Sequence, residues 1–159
     1  MSDNPPIKRS TELAPLSREH HDSLLFAWKI KQGLELQVQQ GRVAAFVTWY
    51  WTYSLAPHLA KEERLLIPFL SKNKALKNRL LEEHRALRKL VEEVETFPAE
   101  DVIQKLAQVL IDHIRFEERI LFKHLEVTLT MDELSEVGRH TASDGKAPAP
   151  WDDAFWLRN

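Results

Sequence analysis

Two short segments of this chain carry one pattern of chemistry-bearing residues. His58-Leu-Ala-Lys-Glu62-Glu63-Arg64 recurs 55 residues later as His113-Ile-Arg-Phe-Glu117-Glu118-Arg119. On a helix each residue advances about 100°, so a His and a Glu four apart differ by only about 40° and face the same way. Such a pair offers an imidazole nitrogen and carboxylate oxygens to one cation. Two further histidines, His21 and His84, each precede a leucine by three residues. The chain of 159 residues has no cysteine, which excludes disulfides, thiolate metal sites, iron–sulfur ligation and a Cys nucleophile. Any metal must therefore be held by nitrogen and oxygen.

The elements that position these residues read as helices almost throughout, with 4 glycines in the whole chain and strings of Leu, Glu, Lys, Arg and Ala. Ser17 reads as the N-cap of a first helix running to about Gln40, weakened at Gly33 and ended by Gly41. The second spans Arg42 to about Ser71 with a kink at Pro57, and the third Lys72 to Thr96. A fourth starts near Pro98 and reaches about Leu129. Thr130 with Glu133 reads as a capping box opening a short fifth helix, Met131 to about Val137. The fold class is all-α: an up-down-up-down four-helix bundle with a short fifth helix and an extended C-terminal tail. Residues 1–15 read as a flexible leader, 16–138 as the bundle and 139–159 as a tail packing on it. The spacing of 55 residues is one helical hairpin, so the repeat is pseudo-symmetry and not a solenoid.

The histidines and glutamates fall on the apolar stripes. His113 and Glu117 lie among Val102, Leu106, Val109, Leu110, Ile120 and Leu121. His58 and Glu62 lie among Trp51, Leu55, Leu65, Leu66 and Phe69. His84 is central to Leu76, Leu80, Leu87, Val91 and Val94, and His21 sits one turn before Leu24, Leu25 and Trp28. His20, about 100° round from His21, and Glu118, beside Glu117, are the alternatives to those two. A single inward His is usually a hydrogen-bonded core residue. Four inward His with two inward Glu are costly to bury unless a metal offsets their desolvation. The candidate ligands are thus His21, His58, Glu62, His84, His113 and Glu117. Six such ligands suit two metals sharing carboxylates, and imidazole with carboxylate suits iron, manganese or zinc. Neither Glu-x-x-His nor His-Glu-x-x-His occurs, so the design is not ferritin-like and not that of a zinc protease.

Other features have plainer readings. His124 reads as an end-of-bundle histidine, and Glu63 and Glu118 as partners of Arg64, Arg119 or Lys61. The run Trp49-Tyr50-Trp51-Thr52-Tyr53 reads as packing, with only Trp51 on the metal stripe. The basic residues of the third helix, Arg79 and Arg88 among them, alternate with acids and read as a solvated face. The formal charge of −2 gives no reason to expect nucleic acid or an anionic membrane. The polar leader shows no signal peptide or membrane span, so a cytoplasmic protein is expected.

In these motifs the chain resembles the hemerythrin-like, or HHE cation-binding, proteins over about residues 16–128. The resemblance rests on the helix-one His, His58-x-x-x-Glu62, His84 and His113-x-x-x-Glu117 in that order, with Pro57-His58, Glu62-Glu63 and Leu-Ile-Pro68 as flanks. It implies two non-haem irons bridged by Glu62 and Glu117, with His21 and His58 on one and His84 and His113 on the other. Manganese or zinc would also suit the donors. The small ligand implied is dioxygen, peroxide or nitric oxide, and iron sensing or handling without turnover is the alternative. The resemblance leaves open whether the chain is an enzyme. Oxygen carriers of this family place a second helix-three His one turn before the first; here that position is Leu80, which favours redox chemistry, sensing or iron handling over reversible carriage.

Overall fold

The computed structural model describes residues 8–142 and 150–158, so the outer leader (1–7) and the tail segment 143–149 lie outside the described residues, as does 159. The described chain is helical, and no strand occurs among these residues. Helix α1 (Ala14–Glu35) starts three residues before Ser17, because Pro15 suits a first turn and the Ser10 hydroxyl accepts the Leu13 N–H (3.3 Å). It ends at a turn where Gln37 adopts a positive φ of 57°. Gly41, expected to end the first helix, lies instead inside α2 (Gln40–Tyr50).

The second rod continues from α2 through a π turn (Trp51–Leu55) into α3 (Ala56–Leu66) and a 3₁₀ turn (Ile67–Phe69). The π turn takes up the break expected at Pro57, which occupies the first turn of α3, where its missing N–H costs little. The third rod, α4 (Lys74–Thr96), is capped by the Asn73 side chain accepting the Leu76 N–H at 3.2 Å. The fourth runs through α5 (Glu100–Phe116), a second π turn (Glu117–Leu121) and α6 (Phe122–Thr128). Short α7 (Met131–Arg139) opens on the capping box of Thr130 and Glu133. Helix α1 packs on α2 and α5, and α4 packs on the same two, so the four rods close a ring.

The apolar interior is divided. One core cluster holds Ala27, Leu55, Leu59, Leu87, Leu110 and Ile114; a second holds Leu13, Leu16, Leu66, Leu80, Phe116, Leu121 and Phe122. Along every rod the histidine falls between them: His20 after Leu16, His58 after Leu55, His84 after Leu80 and His113 after Leu110. Polar residues thus interrupt the core at one level of the bundle. At the far end from this level, Phe155 of the tail is buried on Gly33, where a Cβ would come within 2.7 Å of its ring. Among the described residues no helix is long and apolar enough to cross a membrane.

Candidate metal centre

The six residues that meet at this level are His20, His58, Glu62, His84, His113 and Glu117, all buried, the two carboxylates completely. Their inward atoms form two groups, His20–His58–Glu62–Glu117 and Glu62–His84–His113–Glu117, within each of which the donor atoms lie no more than 4.8 Å apart. The expected helix-one ligand His21 is exposed; His20 takes the inward place. The stripe read for α1 is also displaced, since Leu24, Leu25 and Trp28 are 39–52% exposed while Leu16, Ser23, Ala27 and Ile30 are buried. His20 lies one turn from Leu16 and two from Ala27, which is why it points inward.

Each carboxylate divides its oxygens between the two groups. Glu62 Oε2 lies 3.1 Å from His58 Nε2 and 3.3 Å from His20 Nε2, while its Oε1 lies 3.3 Å from His84 Nε2. Glu117 Oε2 faces His20 Nε2 at 3.4 Å, and its Oε1 faces both His84 Nε2 (3.6 Å) and His113 Nε2. None of these approaches has hydrogen-bond geometry: all four Nε2 atoms and all four carboxylate oxygens are buried without a hydrogen-bond partner. An unsatisfied buried polar atom costs about 1–3 kcal/mol. Eight together would cancel much of a net stability of about 5–15 kcal/mol, so the arrangement calls for a cation at its centre.

The outward ring atoms are all satisfied, by a closed pinwheel of carboxylates. His20 Nδ1 bonds Glu118 (2.8 Å), His58 Nδ1 bonds Glu19 (2.8 Å), His84 Nδ1 bonds Glu63 (2.9 Å) and His113 Nδ1 bonds Glu83 (2.8 Å). Each glutamate comes from the preceding rod in the ring and sits beside an inward residue in sequence. A carboxylate on Nδ1–H fixes the tautomer that presents the Nε2 lone pair inward, the usual support of a metal-bound histidine. Glu63 and Glu118 therefore serve His84 and His20, where the expectation was Arg64, Arg119 or Lys61. Each of the four outer glutamates also carries a cation: Arg9 on Glu118, Lys61 on Glu19, Arg88 on Glu63 and Arg79 on Glu83. Arg79 and Arg88 are thus tied to the site and not only to solvent.

Charge accounts for the titration behaviour of the metal-free cluster. Burial alone would push the histidines down, but the facing carboxylates outweigh it: Glu62 and Glu19 raise His58 to about 9, Glu117 and Glu62 raise His84 to about 10, and Glu117 with Glu83 raises His113 to about 8. His20 rises well above its usual value for the same reason. Burial and the neighbouring Glu62 would raise Glu117, yet His113 holds it down at about 2. Without a metal, protons fill the role of the cation.

Other sequence readings resolve as packing. Tyr50, rather than Trp51, is the buried ring of the aromatic run, stacked on Phe26 at 4.3 Å with its hydroxyl 2.9 Å from Ser23 Oγ. His124 is half-buried on α6, away from the cluster. The sequence points to His21 ahead of His20 and to no site role for Glu19, Glu83 or Arg9. The signal for the glutamates was present, since each outer Glu adjoins an inward His or Glu.

Among curated proteins and among solved structures, none matches the chain. The family profile described as the hemerythrin HHE cation binding domain matches residues 19–125, from the residue before His20 in α1 to the middle of α6. That match spans more than half of this helical chain and takes in both buried His/Glu groups: the chain belongs to the hemerythrin HHE cation-binding domain family.

Proposed function

We propose that the chain holds two non-haem irons and binds or reacts with dioxygen, peroxide or nitric oxide. The observation that carries this reading is the division of Glu62 and Glu117, one oxygen of each toward His20 and His58 and the other toward His84 and His113. In this reading His20 and His58 hold one metal, His84 and His113 the other, and both glutamates are shared. Iron would supply the one-electron redox chemistry that imidazoles and carboxylates lack. The chain's own residues do the rest. The outer glutamates orient the rings, and Leu80, Phe116, Leu121 and Phe122 pack as one apolar cluster beside the site and keep water away from it. Phe122 stacks on His20 at 5.4 Å.

Leu80 is fully buried in that cluster, one turn before His84, and has no donor atom. Each metal would then be held by two His and the two carboxylates, which would leave room for a small ligand at both. This supports reaction over carriage: the ferrous protein is expected to oxidise promptly in air, and reversible oxygen uptake by the unmodified protein would overturn that part of the reading. The eight unpartnered atoms also favour a second reading, an iron-sensing or iron-handling module whose folding tracks metal occupancy, because a ligand that binds only the native state stabilises it. Repeated turnover of peroxide or dioxygen with an external reductant supports the first reading; a single oxidation followed by unfolding on metal loss supports the second.

A further inference from the structure

The two halves of the cluster are matched inside and unmatched outside. On the His20/His58 side, the cations holding the outer glutamates are buried. The Arg9 side chain is 8% exposed and that of Lys61 10%. Arg9 donates to the Glu118 carbonyl (2.5 Å) and to Glu126 (2.7 Å), lies 3.0 Å from the Glu118 carboxylate, and stands over the Phe122 ring that stacks on His20. Ser17 adds a hydroxyl to the same carboxylate at 3.0 Å. Lys61 donates both to Glu19 (2.8 Å) and to the Thr141 carbonyl (2.9 Å). On the His84/His113 side, Arg79 likewise stands over a ring beside its histidine (Phe116, 3.9 Å), so that contact is common to both sides. Arg88 and Arg79, however, are 39% and 50% exposed, and among the described residues the only hydrogen-bond acceptors they meet are the glutamates themselves.

Arg9 and Thr141 both lie outside residues 19–125, so among the described residues the flanking segments complete the His20/His58 side of the centre. We propose that the two metal positions are inequivalent, that the His20/His58 position is the slow-exchanging one, and that Arg9 and Lys61 are its positioning residues. The physical reason is rigidity of the outer supports, since the histidines themselves are all buried. A chelator or water must displace a histidine before the metal leaves, and a histidine can swing only if its outer glutamate lets go. Glu118 and Glu19 are pinned by buried cations that are themselves pinned to backbone or to a second acid. Glu63 and Glu83 are held by side chains that solvent competes for. The inference rests on the two-metal reading above.

The test is anaerobic release of ferrous iron from the loaded, full-length protein to a colour-forming chelator. Two phases of one iron each are expected, the second about tenfold slower, as supporting residues around a metal typically shift affinity by about 10–100-fold. Arg9→Gln should speed the slow phase about tenfold and leave the fast phase unchanged, and Arg9→Lys should recover part of the difference. Arg88→Gln should act only on the fast phase. General loosening of the fold would accelerate both phases alike, so equal acceleration in Arg9→Gln overturns the positioning role, as does no change in either phase. Two irons lost in a single phase overturn the inference while leaving the two-metal reading standing. Binding of fewer than two irons overturns both.

Discussion

In α3, Glu62 and Glu63 sit in regular helix; 55 residues later, their counterparts Glu117 and Glu118 open a π turn. The inner members behave alike, each dividing its oxygens between the two histidine pairs. The outer members part company. Glu63 reaches across to His84 and shares half-exposed Arg88, whereas Glu118 reaches His20 and shares buried Arg9. In neither segment does the repeat's own arginine serve its glutamate: Arg64 and Arg119 are both exposed. The difference separates two kinds of information. Spacing of four along a helix decides which way the inner carboxylate faces, and that is local. The partner of the outer carboxylate is supplied by whichever rod or flank packs alongside, so segments of one pattern acquire different surroundings.

The most damaging way to probe the comparison is at the shared carboxylates. Glu62→Ala and Glu117→Ala should each abolish retention of both metals, since each residue serves both sides. Breaking a buried charged partnership costs about 3–5 kcal/mol, expected in denaturant unfolding of the metal-loaded protein; near neutral pH the metal-free form also loses stability, because its protonated histidines lose a facing carboxylate. A variant that keeps one metal at full occupancy would show that the carboxylates are not shared. Next in size are the single histidines. His20→Ala and His84→Ala should each lower retention toward one metal per chain, with about 1–3 kcal/mol lost from the loaded protein.

Acidity sharpens the comparison differently. His58, His84 and His113 are raised to about 9, 10 and 8 in the metal-free fold, above an unfolded value near 6.5. Their protonated pairs with Glu62 and Glu117 therefore stabilise the fold fully below about pH 6.5, and that contribution is lost as pH rises through 8 to 10. The loaded protein should behave in the opposite sense across pH 5 to 8, because binding requires neutral imidazoles. Melting temperatures of both forms against pH check this, and parallel curves would contradict it. The smallest expected effect is at the exposed neighbour: His21→Ala should leave metal content unchanged and shift stability by no more than about 0.5 kcal/mol.

Much of this centre was legible in the residues, and the exceptions have physical causes. His58, Glu62, His84, His113 and Glu117 sit inside strong apolar stripes, where a charged residue stands out. Helix α1 misleads because its buried face mixes Leu16, Phe26 and Ile30 with small or polar Ser23, Ala27 and Gly33, while Leu24, Leu25 and Trp28 lie on the exposed side. Hydrophobicity therefore pointed to His21 in place of His20. The same limit hid the π turn at Glu117, which no residue type announces, and the roles of Arg9 and Lys61, which depend on a leader and on Thr141 more than 75 residues from their partners. Capping chemistry at Thr130 and Glu133 is local, and was legible in full.

The central claim is that Glu62 and Glu117 are shared between two metals. Its most direct test is the iron content of the anaerobically loaded protein together with its magnetic resonance spectrum after oxidation. About two irons per chain are expected, as two metals sharing carboxylates require, with no isolated ferric signal because ions joined through common carboxylates couple magnetically. One iron or fewer per chain, or the full signal of uncoupled ferric ions, would contradict it.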